Sequence, residues 1–418
     1  MFGSDRQLEG ESVRLIRGAS ITRLAVLATV AVFAAGCGSQ VSGSAARIEP
    51  DTANLDYGNY QTQPRTVGNA KSLNQGRAYE AQRLGDYVAL PFEIDPAYVY
   101  DNRKESLVQP TQIVLNRKGL GRLIINDTFD EVAEDLVAGW LNSWATEPTG
   151  GNPRRSLNLS VLIFPDAKTA ETVAPILEND DFTYNADNEK VSITKYPKTY
   201  AHWRPSVSSI GSWTVHDRYV IFMKLDDETR APDLPSLQAQ VERALEVQIP
   251  LLDRFVPTPS DQIERVPLDP TGLVGRTLPS DPSAPVRAQP DGYFTGRGAL
   301  SLFGDPDAEL LGTFNKHGIE LISFGDTVVF RSTTEAGAKS QFAEWKTPDK
   351  DTKDAQAPAG LGEAAACRAN TYESGGEVKT SDYICYLQVD RYAVQIRNKN
   401  LQDLHQQVSA QYVLLTRR

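Results

Sequence analysis

The chain has 418 residues and a formal net charge of −11, with 54 acidic against 43 basic side chains. A surface this acidic repels nucleic acid and anionic lipid headgroups, so the composition excludes a nucleic-acid-binding protein and a polybasic membrane patch. At about 100–200 residues per domain, the length predicts two domains. The histidines and cysteines show no metal-ligand spacing, so the sequence predicts no metal and no cofactor.

Residues 1–36 are typical of an export signal. Basic residues precede an apolar run over 24–35, which is shorter than the about 20 residues of a membrane-spanning helix. The ending Ala34-Ala35-Gly36-Cys37 resembles the bacterial lipobox, with alanine where leucine is usual. The resemblance implies cleavage before Cys37, a lipid on its thiol, and a body anchored to the outer face of the cell membrane. An ordinary signal peptide that contains a cysteine is the alternative.

Composition divides the remainder into four segments. Residues 37–84 begin without any apolar period and are predicted to be a tether and an N-terminal extended segment. Residues 257–290 contain eight prolines, each of which fixes φ and removes a backbone donor. This stretch is therefore predicted to be a semi-rigid, extended linker. It separates a first domain, 85–256, from a second domain, 291–418.

The two domains share short segments in the same order, which indicates a duplication. An apolar run ending at Phe164 precedes an alanine-rich segment over 167–177, and a run ending at Phe330 precedes a similar segment over 335–345. Two further matches are Asp217-Arg218-Tyr219 with Asp390-Arg391-Tyr392, and Leu237-Gln238-Ala239-Gln240-Val241 with Leu404-His405-Gln406-Gln407-Val408.

Apolar periodicity predicts the secondary structure of each repeat. A spacing of four predicts an opening helix through Val132, Leu136, Trp140 and Trp144. Alternation predicts a half-buried strand through Trp213, Val215, Tyr219, Ile221 and Met223. Closing helices are predicted from Ser236, as cap, to Leu252 and from Leu401 to Leu415. The predicted fold class is α+β: two related repeats, each an antiparallel sheet with helices packed on one face, joined by the proline-rich linker.

Cys367 and Cys385 remain as thiols if Cys37 is acylated. A pair of cysteines in an oxidising compartment usually forms a disulfide, and a turn-rich segment lies between these two. We predict a bridge that staples a hairpin and contributes about 3 kcal/mol. Two buried free thiols are the alternative.

The sequence contains no recognisable catalytic motif: no GxSxG, HExxH, P-loop or GxGxxG. Glycines 292, 296 and 298 lack the strand-then-helix context of a phosphate site and are predicted to form a loop. The repeated Asp-Arg-Tyr is either a ligand clamp in each domain or a structural turn. The structural interpretation is favoured because neighbouring residues on a strand point to opposite faces.

Four tryptophans of the first domain form a candidate ligand-binding site: Trp140, Trp144, Trp203 and Trp213. An aromatic-lined cavity between helix and sheet would suit an apolar or glycan ligand. Ordinary core packing is the alternative.

Two segments beyond the lipobox carry a family resemblance. They are Asn59-Tyr60 with Pro64-Arg65, and Leu90-Pro91-Phe92-Glu93. With them the chain resembles the uncharacterised two-domain lipoproteins of mycolic-acid-bearing actinobacteria, a family without an established activity, so no site residue transfers. Each repeat is also similar to small α+β envelope lipoproteins and kinase sensor domains of those bacteria. That likeness implies disulfide stabilisation and ligand binding outside the cell.

Together these observations predict an exported cell-envelope protein, anchored to the membrane through Cys37, that binds an envelope lipid or glycan without catalysis. A scaffold or partner protein of an envelope complex is one alternative. An envelope hydrolase without a recognisable motif is the other.

Overall fold

The computed structural model describes residues 50–102, 111–121, 123–124, 128–148, 152–280, 291–303, 307–347 and 349–417. The predicted signal peptide and Cys37 lie outside this part of the chain.

The first half contains five helices and eight strands within the described ranges. The helices are α1 (Leu73–Gly85), α2 (Pro91–Ile94), α3 (Phe129–Val132), α4 (Ala167–Thr183) and α5 (Leu234–Leu252). The strands are β1 (Tyr100–Asp101), β2 (Thr111–Ile113), β3 (Ala138–Ala145), β4 (Arg155–Ile163), β5 (Glu189–Val191), β6 (Thr199–Trp203), β7 (Ser209–His216) and β8 (Tyr219–Asp227).

The second half follows the same pattern with fewer helices before its sheet. Its described helices are α6 (Gly296–Leu300), α7 (Ala308–Lys316), α8 (Glu335–Trp345) and α9 (Leu401–Thr416). The strands are β9 (Gly292–Thr295), β10 (Ile319–Phe324), β11 (Val328–Ser332), β12 (Thr352–Ala355), β13 (Ala365–Ser374), β14 (Glu377–Val389) and β15 (Tyr392–Asn398). The helices predicted at 167–177, 237–252, 335–345 and 401–415 are confirmed, but the cap of the second is Asp233, and Ser236, predicted as the cap, lies within the helix.

Each half forms one antiparallel sheet, which confirms the α+β fold class. The first sheet has the order β1-β3-β4-β8-β7-β6-β5, with β2 also paired to β3. The second has the order β12-β13-β14-β15-β11-β10-β9. When the order of the second sheet is read from its other end, β10-β11-β15-β14-β13-β12 matches β3-β4-β8-β7-β6-β5 of the first sheet. The helices correspond as well, because α4 and α8 follow β4 and β11, and α5 and α9 close each repeat.

The repeated Asp-Arg-Tyr forms the same tight turn in both sheets. Asp217 and Asp390 are the described non-glycine residues with positive φ, at 49° and 45°. Each joins the two strands of a hairpin, β7–β8 or β14–β15, and aspartate tolerates this left-handed conformation better than most residues. The single strand predicted from Trp213 to Met223 is therefore wrong. The turn reverses the chain, so Trp213 and Tyr219 belong to different buried clusters.

The helices of each sheet lie on both faces, not on one as predicted. In the first sheet, α5 packs into a cluster with the odd-numbered residues of β4, whereas α4 packs into a separate cluster with Leu162. In the second sheet, α8 shares the first of these clusters and α9 packs on the other side, beside Cys385.

One large apolar core, here called the central core, joins the two halves. It contains residues of α5 from the first repeat and of α8 from the second, and the rings of Trp140 and Phe294 lie 5.6 Å apart within it. Because α5 corresponds to α9 and α4 to α8, the repeats meet through non-equivalent faces. This is a head-to-tail contact rather than a two-fold one.

The helix predicted over Val132, Leu136, Trp140 and Trp144 is largely wrong. Only the short α3 ends at Val132, and Trp140 and Trp144 lie on β3, which is buried along its whole length. Side chains four residues apart share a face in a helix and also in a strand, so the spacing alone cannot separate the two.

The proline-rich segment is not an extended linker in its described part, 257–280. It contains two 3-10 turns, Ser260–Arg265 and Val274–Arg276, and it buries apolar side chains. These are Ile263, Val266, Leu268, Leu273, Val274 and Leu278. Proline prevents regular helix and sheet, but it does not prevent neighbouring apolar residues from packing onto a domain.

Both segments that carry the family resemblance connect the two halves. Tyr60 donates a hydrogen bond to Asp403 of α9 (2.8 Å), and Arg65 donates to the carbonyl of Thr277 (2.6 Å). Glu93, in α2, forms an ion pair with Arg297 of α6 (2.6 Å). The predicted tether and extended segment is thus wrong for residues 50–84, because they contact the folded body and 73–84 form most of the helix α1.

The glycines predicted to form a loop lie instead on β9 and α6, where the halves approach most closely. A methyl group at Gly298 would lie 1.7 Å from the Asp86 carboxylate, and one at Gly292 would lie 2.6 Å from Gln82. Their glycine identity reflects close packing between the repeats, not a phosphate site.

Among the helices in the described part of the chain, none combines the length and apolar character needed to cross a membrane.

Candidate functional site

A polar cleft of about 270 Å³ lies on the first sheet at the end of α4. Most of the residues that line it come from β6, β7, β8, the last turn of α4 and the segment after that helix. They are Leu123, Asp181, Tyr184, Asn185, Asn188, His202, Trp203, Arg204, Val207, Ser209, Gly211, Phe222, Lys224 and Asp226. The cleft therefore combines aromatic rings, amides, carboxylates and cations in one small volume.

The length of α4 creates this cleft. Asp166 caps the helix by accepting a hydrogen bond from the Thr169 amide (2.8 Å), and the helix then runs to Thr183. Its last turn brings Asp181 over the sheet, where the Trp213 indole donates to the Asp181 carboxylate (3.2 Å). The corresponding helix of the second repeat, α8, ends at Trp345, about 1.7 turns earlier relative to its cap.

A buried carboxylate holds one wall of the cleft in place. Glu178 is 2 % exposed and lies 3.1 Å from Nδ1 of His202 and 3.7 Å from Nζ of Lys190. Lys190 also lies over the Phe182 ring, 4.8 Å from its centroid. These contacts join α4, β5 and β6, so the His202 side chain is fixed beside the cleft.

The opposite wall presents opposite charges. Nζ of Lys224 lies 4.0 Å from the Asp226 carboxylate, and Ser156 donates to the same carboxylate (3.2 Å). Arg204 has a buried N–H group without a hydrogen-bond partner among the described residues. Tyr184, 67 % exposed, provides an open aromatic face at the rim.

The four predicted tryptophans do not come together. Trp140 and Trp144 are fully buried in the central core, and Trp213 is 1 % exposed in the separate cluster under α4. Trp203 borders the cleft but packs against the central core, as Trp140 and Trp144 do. A sheet separates the two clusters, so these tryptophans do not form the joint aromatic cavity that the sequence suggested.

Two other cavities lie along α1. One, of about 690 Å³, lies between α1 and the start of the proline-rich segment, and Tyr79, Arg83 and Val256 are among its lining residues. The other, of about 540 Å³, lies near Arg77 and Leu115. Both are wider and shallower than the cleft.

The predicted disulfide between Cys367 and Cys385 is confirmed. The two cysteines are directly paired on β13 and β14, with 5 % and 0 % exposure, in the cluster covered by α9. Disulfides are typical of proteins outside the cytoplasm.

Asp86 is the carboxyl group whose pKa is raised most among the described residues. Burial raises this pKa to about 6, against the hydrogen bonds from the Thr295 backbone and hydroxyl and the nearby Arg297. Asp86 lies at the junction of the two halves and lines none of the three cavities. Within the described ranges, no three His, Cys, Asp or Glu side chains lie close enough together to hold a metal ion.

The geometry thus defines an α+β protein of two fused repeats with a polar cleft in the first. Family models match both repeats: the N-terminal domain of unknown function DUF7373 over residues 67–268, and the C-terminal domain DUF7373_C over residues 273–418. The chain therefore belongs to the DUF7373 family, which confirms the prediction of an uncharacterised two-domain family.

Among solved structures, the chain is similar to the extracellular domain of PknH from Mycobacterium tuberculosis. The match has 11% sequence identity and a TM-score of 0.26, and it covers 40% of this chain and 96% of that one. No curated protein matches the chain.

Sequence reasoning missed most of the cleft. Its amides lie in Tyr184-Asn185-Ala186-Asp187-Asn188, a run of turn-forming residues directly after a helix. Such a run indicates a helix end, but nothing in the sequence shows that it faces a strand surface.

Proposed function

We propose that this chain is an exported protein of the cell envelope, lipid-anchored at Cys37, that binds a glycan in the cleft beside α4 without catalysing a reaction. The observation that carries the proposal is the set of groups in that cleft. Sugars offer alternating hydroxyl donors and acceptors beside apolar ring faces, and sites for them need amides, carboxylates and aromatic rings together.

The character of the cleft favours a glycan over a lipid. A site for an acyl chain is lined by apolar side chains, whereas this cleft contains Asn185, Asn188, Asp226 and Lys224. Its volume of about 270 Å³ suits one sugar ring. The paired charges of Lys224 and Asp226 leave no strong excess of either sign on that wall, which suits a neutral sugar.

Saturation-transfer NMR tests the proposal with methyl glycosides of glucose, galactose, mannose and arabinose as probes. We expect at least one of them to receive saturation from the wild-type body. Tyr184→Ala removes the exposed aromatic face and should weaken binding about tenfold, as expected for loss of a stacked ring. Asp226→Asn should weaken it further by removing a charged acceptor.

Tyr372→Ala is the matched control, because Tyr372 is also an exposed tyrosine (50 %) but lies on the second sheet, away from the cleft. Its affinity should equal that of the wild type. If no glycoside binds, or if Tyr184→Ala and Tyr372→Ala bind equally well, the glycan proposal fails.

The anchor is tested separately by cell fractionation. Cys37→Ala should move the protein from the membrane fraction to the soluble envelope or the medium, because no thiol remains for lipid attachment. The buried disulfide supports an extracytoplasmic location. Retention of Cys37→Ala in washed membranes would contradict the anchor.

A second candidate function, a partner protein of an envelope complex, is favoured by the ribbon at the end of β13 and β14. Residues 371–380 of this ribbon pair only with each other among the described strands, and Tyr372 and Val378 are each 50 % exposed. Unpaired strand edges are common sites of protein association. Crosslinking in whole cells from position 373 should capture one partner if this function is right.

A further inference from the structure

The two repeats can be aligned residue by residue beneath α4 and α8. The turns at Asp217 and Asp390 set the register of the hairpins, and the helix caps Asp166 and Thr334 set the register of the helices. In this alignment four buried positions of the first repeat are equivalent to four buried positions of the second. They are Phe164, Val173, Trp213 and Phe222, which correspond to Ser332, Gln341, Tyr386 and Gln395.

In the first repeat these four positions are apolar and buried, and Phe222 also lines the cleft. All four side chains belong to the apolar cluster under α4, with exposures of 0 % to 5 %. The rings of Trp213 and Phe222 lie 4.4 Å apart across the β7–β8 pair. The fold therefore accepts an entirely apolar packing at this place.

In the second repeat all four positions are polar and just as deeply buried. Ser332, Gln341, Tyr386 and Gln395 are 0 %, 2 %, 0 % and 4 % exposed. The Ser332 hydroxyl, the Gln341 carbonyl, the Tyr386 hydroxyl and both amide atoms of Gln395 have no hydrogen-bond partner among the described residues.

These groups share one face of the second sheet. Tyr386 and Gln395 are direct cross-strand partners on β14 and β15, and Tyr386 packs 5.5 Å from Trp345 at the end of α8. Gln341 lies on α8, one turn before Trp345, and Ser332 ends β11 just before that helix begins. Buried polar atoms without partners are strongly unfavourable, and four such side chains in one layer are rare in a native core.

We propose that the layer between α8 and the second sheet is a binding site for a small neutral molecule that bears hydroxyl or amide groups. The site is distinct from the cleft in the first repeat and does not depend on it. Ser332, Gln341, Tyr386 and Gln395 supply its hydrogen bonds, and Phe330 and Trp345 supply its apolar walls.

The chemistry of the four side chains selects the ligand class. Hydroxyl and amide groups offer donors and acceptors together but no charge, so an ion would gain no counter-charge from them. Burial raises the pKa of Tyr386 to about 12, so its hydroxyl keeps its proton at neutral pH and can donate. A neutral guest with both kinds of group satisfies this set, whereas a hydrocarbon would leave it unpaired.

Native mass spectrometry of the mature body, purified from its own envelope, tests the proposal. We expect the wild type to carry a neutral adduct that organic extraction releases. Tyr386→Phe and Gln395→Leu each remove one or two hydrogen-bonding atoms with little change in shape, so the adduct should fall at least tenfold in both. Leu73→Ala, at an exposed position of α1 that lines neither proposed site, should retain it.

A second measurement compares the melting temperatures of the variants and the wild type by circular dichroism. Gln395→Leu should melt at or below the wild-type temperature, because the variant loses a bound, stabilising guest. A wild type of bare mass, together with a Gln395→Leu variant that melts higher, would overturn the proposal. An adduct that persists in both Tyr386→Phe and Gln395→Leu would also overturn it.

Discussion

The two repeats build the same sheet and differ in what lies between that sheet and the helix that follows its second long strand. In the first repeat, α4 covers a dry aromatic layer and then extends past it, which opens a polar cleft at its end. In the second repeat, α8 is shorter. Its one buried face lies over the second sheet within the central core and includes the buried polar side chains there, and its other face is exposed.

This difference follows from the way the repeats are joined. Because they meet through non-equivalent faces, α8 packs toward the central core, whereas α4 covers an outer cluster. Both helices bury one face and expose the other, so the two copies differ in which cluster that buried face joins.

The contact between the halves should be the most sensitive part of the molecule. Gly298→Ala places a methyl group 1.7 Å from the Asp86 carboxylate, which has to shift, so it should cost about 3 kcal/mol of the free energy of unfolding. Urea unfolding followed by circular dichroism measures this cost.

Gly312→Ala is the matched control on α7, where nothing lies within 4 Å of an added methyl group. It should stabilise the protein by about 0.5–1 kcal/mol, since alanine favours helix. Equal stabilities for the two variants would show that the halves are not held at α6.

The second repeat contains the disulfide, and the first repeat has other residues at the two equivalent positions. Cys367 and Cys385 correspond to Ala201 and Ser212 on the paired strands β6 and β7. The double variant Cys367→Ala with Cys385→Ser should lose about 3 kcal/mol, because the bridge closes a loop with a sequence separation of 18.

Wild-type protein unfolded in the presence of reductant provides the control for that substitution, and it should lose a similar amount. A double variant with the wild-type urea midpoint would mean that the bridge adds no stability beyond the core around it.

Asp86 makes the contact between the halves dependent on pH. Because its pKa is raised to about 6 from 3.8, protonation favours the folded state. This contribution is complete below about pH 4 and is lost as pH rises through 6. Asp86→Asn keeps an acceptor for Thr295 without the charge, so it should match the wild type near pH 4 and exceed it by about 2 kcal/mol at pH 7. A difference that does not change with pH would contradict this account.

The repeated turn is where the two copies should behave alike. Asp217→Val and Asp390→Val each force a β-branched residue into positive φ, and each should cost about 1–2 kcal/mol. Asp→Gly at either position should cost little. Unequal losses at the two positions, measured by thermal unfolding, would show that the turns are not equivalent.

Much of the duplication could be predicted from short motifs, and the reason is local. The Asp-Arg-Tyr turn and the closing helices depend on φ preference and on apolar spacing, which neighbouring residues determine. The spacing of four residues between Val132, Leu136, Trp140 and Trp144 fits both a helix and a strand. Its assignment as a strand depends on its pairing with β1, β2 and β4, which are distant or not apparent in the sequence.

The sequence by itself determined the α+β class, the two repeats, the cysteine pair and the expectation of an export signal, because composition, period and spacing encode these features locally. Only the tertiary structure decided which faces of the repeats meet, that the proline-rich segment packs onto the body, and that a cleft and a buried polar layer exist. These features arise where residues far apart in the chain, such as Ser332 and Gln395 or Asp181 and Phe222, are brought onto the same sheet face. A side chain's local sequence does not reveal what packs against it.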